Sequence, residues 1–67
     1  MNQLEVISIL LDLGYEKVKP QQSENESKRA EYYTGRKDGR ITWFKVVHGV
    51  LLERIDYNPS KFEWVVV

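Results

Sequence analysis

Hydrophobic residues recur in this chain with two different periods, and the change between them limits the possible folds more than any other feature. Leu4, Ile7 and Leu11 are spaced i, i+3, i+7, with Val6, Leu10 and Leu13 in an adjacent row, as on one side of a helix. From Ala30 to Val67 apolar residues recur nearly every second position, and this half holds both Trp, both Phe and three of the four Tyr. The intervening Pro20 to Arg29 contains no aliphatic or aromatic residue. A helix of three turns is marginal alone and needs a surface to lie on. The pattern therefore predicts an α+β fold, with one N-terminal helix packed on a four- to five-stranded antiparallel meander sheet.

Asn2 is a suitable N-cap, and Glu5 three residues later completes a capping box. Gly14 follows the last apolar residue, where a left-handed C-cap suits glycine. The helix is expected over 2–13, with Gln3, Glu5, Ser8 and Asp12 outward and Ile9 towards the polar side. Tyr15 to Lys19 reads as a first strand, with Tyr15 and Val18 inward, that Pro20 ends or places at an edge. Residues 20–29 are expected to form a mobile polar loop within a single domain, 1–67. Strands follow over Ala30 to Arg36, Arg40 to Val47, Val50 to Tyr57 and Lys61 to Val67. Lys37-Asp38-Gly39, His48-Gly49 and Asn58-Pro59-Ser60 form the turns between them.

With 67 residues the chain has room for one domain, and a domain of this size buries only about 60% of its unfolded surface. Ten basic residues balance ten acidic ones, so no long-range field draws the chain to nucleic acid or an acidic membrane. Without cysteine, neither disulfides nor thiolate metal sites can form. No apolar run approaches the ~18 residues of a membrane helix. Glu5 and Asp12 interrupt the first apolar stretch, and no basic segment precedes it, so a cytoplasmic protein is expected. On that expectation the sequon Asn25-Glu26-Ser27 is not counted as a modification site.

Little in the chain points to catalysis. His48 is the only histidine, and beside Gly49 it reads as a turn residue, not a metal ligand. Glu53, Asp56 and several serines exist, but no nucleophile elbow places them. Gly35 and Gly39 lack the strand-to-helix context of a phosphate loop. No enzyme activity, metal or cofactor is expected. Leu11-Asp12-Leu13-Gly14-Tyr15-Glu16-Lys17-Val18 resembles the helix-to-strand junction of HicA-type toxins, small RNA-cleaving α/β domains. That family's Gly-Ser-His segment is replaced here by Gln21-Gln22-Ser23-Glu24 and its closing helix has no counterpart, so the resemblance is not adopted.

The strands supply the functional expectation. Ile41, Trp43, Lys45 and Val47 alternate with Thr42, Phe44 and Val46, and Phe62, Trp64 and Val66 alternate with Glu63, Val65 and Val67. Both faces of the sheet are apolar, and one helix covers only one, unless the sheet curls into a small closed barrel. The expected function is a non-enzymatic protein-interaction module, a homodimer or a cover for a partner's surface, of the kind a phage or plasmid encodes. Its interface would use Tyr33, Trp43, Phe44 and Trp64, with Lys61 to Val67 available for strand addition. The alternative is nucleic-acid binding by Lys28, Arg29, Arg36, Lys37 and Arg40 among the rings of 28–45. Glu53 and Arg54 point to opposite faces, and a Lys45–Glu53 cross-strand pair is expected to help set register.

Overall fold

The protein is described from a computed structural model covering residues 1–21 and 30–67. Among these residues one helix, α1 (Gln3–Asp12), precedes five strands, β1 (Glu16–Gln21), β2 (Ala30–Lys37), β3 (Arg40–Val47), β4 (Val50–Asn58) and β5 (Lys61–Val66). The strands form one antiparallel sheet in the order β1-β2-β3-β4-β5. The α+β meander expected from the change of period is the fold observed, and the sheet is open among the described residues.

Local chemistry sets both ends of α1. The Asn2 Oδ1 accepts the Glu5 N–H at 2.9 Å, and the Glu5 carboxylate accepts the Asn2 N–H, a complete capping box. At the C-terminus Gly14 takes φ +95°. Its N–H reaches the Leu11 carbonyl and the Tyr15 N–H the Leu10 carbonyl, both at 3.0 Å, which is a Schellman closure. The last turn of α1 carries no cation of its own. Lys37, at the end of β2, donates to the Leu13 carbonyl at 2.8 Å and places its charge at the negative end of the helix dipole.

Val6 and Leu10 are the fully buried residues of α1, and Ile9 packs against the same core. This corrects the expected helix face. Leu4 is 79% exposed and Leu11 is also exposed, while Ile9 lies towards the sheet. The sequence stripe is wider than the arc a helix can bury on a flat surface, and the core takes up Val6, Leu10 and the neighbouring Ile9.

Beneath the helix lie Tyr33 of β2, Phe44 and Val46 of β3, and Leu51 of β4. The register sets Tyr33 opposite Phe44, Val46 opposite Leu51 and Phe44 opposite Glu53, so these residues share the helix-side face. Tyr15 stands edge-on to Phe44, with ring centroids 4.9 Å apart at 85°. Its hydroxyl donates to the Glu53 carboxylate at 3.4 Å. Tyr15 also explains Gly35: a Cβ at that position would lie 3.1 Å from the Tyr15 Cβ.

Asp38-Gly39 and His48-Gly49 are two-residue turns with all four φ positive, the geometry that matches the twist of a hairpin. At the third turn Asn58 Oδ1 accepts the Ser60 N–H at 2.9 Å. Pro20 does not end β1: it sits inside the strand, opposite Tyr33, because an edge strand needs no N–H on its outer side. Pro20 and Gln21 therefore belong to the sheet and not to the expected loop at 20–29, and the rest of that loop lies outside the described residues.

Gly35→Val should lower stability by about 1–3 kcal/mol, as overpacking against a fixed ring does, and Phe44→Ala by about 3–5 kcal/mol, both read from urea unfolding. Tyr15 and Tyr33 titrate above their ordinary range, chiefly through burial and then through Glu53 and Glu31 respectively. Their neutral forms are favoured in the folded state, so this contribution is complete below pH about 10 and is lost as pH rises through the raised values. Melting temperature should fall above pH about 10, and less steeply in Tyr33→Phe.

Candidate contact surface

The face of the sheet turned away from α1 presents Tyr32 and Arg36 from β2, and Ile41, Trp43, Lys45 and Val47 from β3. From β4 and β5 it presents Val50, Leu52, Arg54, Asp56, Phe62, Trp64 and Val66. Ile41, Trp43, Val50, Phe62 and Val66 are all exposed, with Trp43 at 36% and Val66 at 69%.

This face has an organisation of its own. Trp64 meets Tyr32 at 6.2 Å between centroids and Phe62 at 6.5 Å, both edge-to-face. Tyr32 and Trp64 belong to strands separated by two others, a span of about 14 Å at ordinary strand spacing. The rings therefore lean towards each other across Lys45 and Leu52. The Lys45 ammonium lies 4.4 Å from the Trp64 ring centroid, and the Arg54 guanidinium 4.1 Å from that of Phe62. Arg54 also pairs with Asp56 at 2.8 Å. Gln21 donates to Thr34 at 3.0 Å and ties β1 to β2 on the same face.

The register sorts the charges. Lys19, Arg36, Lys45 and Arg54 fall on this face with Glu16 and Asp56. Among the strands the carboxylates of Glu31, Glu53 and Glu63 fall on the helix side. There Tyr33 donates to Glu31 at 3.1 Å, Tyr15 to Glu53, and Tyr57 to Glu63. A chain with no net charge thus carries a basic surplus on its open face.

The structure divides the expected interface residues. Trp43 and Trp64 are on the open face. Tyr33 and Phe44 are 2% and 0% exposed and lie under α1, so they belong to the protomer's own core. The parity of β2 and β3 decides this: the residue beside each buried ring, Tyr32 or Trp43, points the other way. The Lys45–Glu53 pair does not form, because Lys45 stands opposite Leu52 while Glu53 stands opposite Phe44. Of Glu53 and Arg54, Arg54 takes the open side. Tyr32, Phe62, Lys45 and Arg54 were missed as site residues, although the alternation of Phe62, Trp64 and Val66 already implied a shared face.

The basic cluster is divided as well. Lys28 and Arg29 lie outside the described residues. Arg36 stands opposite Ile41 on the open face, whereas Lys37 and Arg40 pair on the helix side. There Tyr15, Lys37, Asp38, Arg40 and Thr42 line an open depression of about 440 Å³. Lys37 is already engaged there by the Leu13 carbonyl and lies 5.1 Å from the Tyr15 ring centroid. His48 occupies its exposed turn. Among the described residues no group of three His, Asp or Glu is placed to hold a metal, and no helix is long and apolar enough to cross a membrane.

The chain matches no family model, no curated protein and no solved structure.

The geometry separates two tryptophans of equal size. Trp64→Ala removes the ring that joins Tyr32, Phe62 and Lys45 and should cost about 1–3 kcal/mol of stability. Trp43→Ala, at the margin of the cluster, should cost under about 1 kcal/mol, as surface changes do. Paired urea titrations read the difference.

Proposed function

We propose that this chain is a non-enzymatic contact module that binds another protein through the open face of its sheet. The observation that carries the reading is a sheet face, rich in aromatic and aliphatic groups, that α1 leaves uncovered among the described residues. Contiguous apolar surface on a small domain marks an interaction site. Its size suits the task. The molecule measures 32 × 30 × 21 Å, and its broad side is large enough for the ~800 Å² per partner of a stable interface. Trp43 and Phe62 are exposed rings of the type that dominates binding energy.

Charge states what kind of partner fits. Four cations stand among the rings against two carboxylates, and Asp56 is already paired with Arg54. Two copies stacked by this face would oppose like charge. An apolar segment bearing Asp or Glu would bring carboxylates to Arg36, Lys45 and Lys19 while its side chains cover Trp43 and Phe62.

The same interleaving of cations and rings supports nucleic-acid binding as the second reading. One titration discriminates, using tryptophan fluorescence with two probes. The probes are a panel of ten-residue peptides alternating Asp or Glu with Phe or Leu, and a 20-residue oligouridylate. Peptide binding that is lost in Trp43→Ala and weakened about tenfold in Arg36→Glu supports the proposal. Oligouridylate binding that falls steeply between about 50 and 300 mM salt transfers the face to nucleic acid. Response to neither probe removes the assignment.

A further inference from the structure

The two edges of the sheet differ in construction. β1 is guarded. Pro20 offers no N–H, an irregularity between Glu16 and Lys19 breaks the ladder with Lys17 at φ 52°, and Lys17 and Lys19 add charge. β5 lacks the proline and the irregularity, and its two charges, Lys61 and Glu63, lie in the half nearer the turn. From Lys61 to Val66 there is neither proline nor positive φ, and the irregularity in its ladder falls in β4, between Asp56 and Asn58. Its outer half, Trp64-Val65-Val66, has high strand propensity, and Val66 is the more exposed end. Among the described residues no strand pairs with its outer side. A long apolar edge with unpaired N–H and C=O groups is a template for another strand.

We infer that the strand it takes is β5 of a second copy, antiparallel, about a two-fold axis at Trp64. An axis normal to the sheet keeps both open faces on one side and joins the two sheets into one. In this register Phe62 of each copy stands opposite Val66 of the other, Trp64 opposite Trp64, and Glu63 opposite Val65. Every open-face pair is apolar against apolar, and no charge meets its own copy. Moving the axis to Glu63 sets two carboxylates face to face. Moving it to Phe62 runs Val65 and Val66 past the Asn58–Ser60 turn, and moving it to Val65 leaves only Trp64–Val66 of β5 paired. The sequence of β5 is therefore complementary to itself in one register. The open face is a separate surface: pairing at the edge leaves it exposed and makes it continuous between copies.

The absence of cysteine gives a clean test. Single variants Phe62→Cys, Trp64→Cys and Val66→Cys are oxidised at about 100 µM protein. The expected result is fast self-crosslinking of Trp64→Cys, slow self-crosslinking of the other two, and fast crosslinking when Phe62→Cys and Val66→Cys are mixed, since cross-strand Cβ atoms lie about 5 Å apart. That mixed pair, at two exposed positions, reads the register even where loss of the Trp64 ring weakens the fold. Sedimentation equilibrium supplies the second arm. Val66→Lys should weaken the dimer at least tenfold with its melting temperature unchanged when measured as a dilute monomer. A wild-type chain that is monomeric at about 100 µM overturns the inference. So does a dimer that survives Val66→Lys but is lost in Trp43→Ala, because that result seats the second copy on the open face.

Discussion

The contact between Phe44 and the underside of α1 is the interaction on which the rest of the structure depends. Phe44 sits mid-sheet on β3, fully buried, opposite Tyr33 on one side and Glu53 on the other, with Tyr15 edge-on to it. Val6 and Leu10 close the space above the sheet. A ten-residue helix is about 15 Å long, half the longer dimensions of the molecule, so it shelters one patch of one face. A chain this short builds one full core and has little apolar material left for a second. The open face follows directly from that limit.

That face reduces its exposure by other means. Tyr32, Trp64 and Phe62 lean on one another, and Lys45 and Arg54 lay their charged ends over the rings. Such stems cover apolar surface while their heads remain wet. The arrangement lowers the cost of leaving aromatic rings uncovered without removing them from reach, since Trp43 and Phe62 remain exposed. A closed barrel would have enclosed them. The guarded β1 edge and the open order of strands work against closure, because Pro20 removes a donor that a β1–β5 seam would need.

Strand parity was the part of the fold that the sequence concealed. The change of period, the Asn2–Glu5 box, Gly14 and the two Xaa-Gly turns each declare themselves locally, and the element order follows from them. Which of two adjacent rings faces inward does not. Tyr32 and Tyr33, or Trp43 and Phe44, are equivalent in composition, and only the position of the helix separates them. The helix stripe has the same ambiguity: Leu4 and Leu11 look as apolar as Val6 and Leu10, and docking selects between the rows. Half of the expected interface therefore fell in the core, while Tyr32 and Phe62 took its place on the surface. The basic cluster misled for the same reason, because neighbours in sequence on a strand are placed on opposite faces in space.

Sorting by parity also separates charge in a chain whose total is zero. Glu31, Glu53 and Glu63 gather on the helix side, each accepting a tyrosine hydroxyl, and Lys19, Arg36, Lys45 and Arg54 gather on the other. The tyrosines satisfy those carboxylates without cations, while Lys45 and Arg54 lie over the rings of the open face. A neutral composition and a directional surface are thus compatible. The recognition chemistry of a small sheet is set by which residues share a face, and the whole-chain charge does not report it.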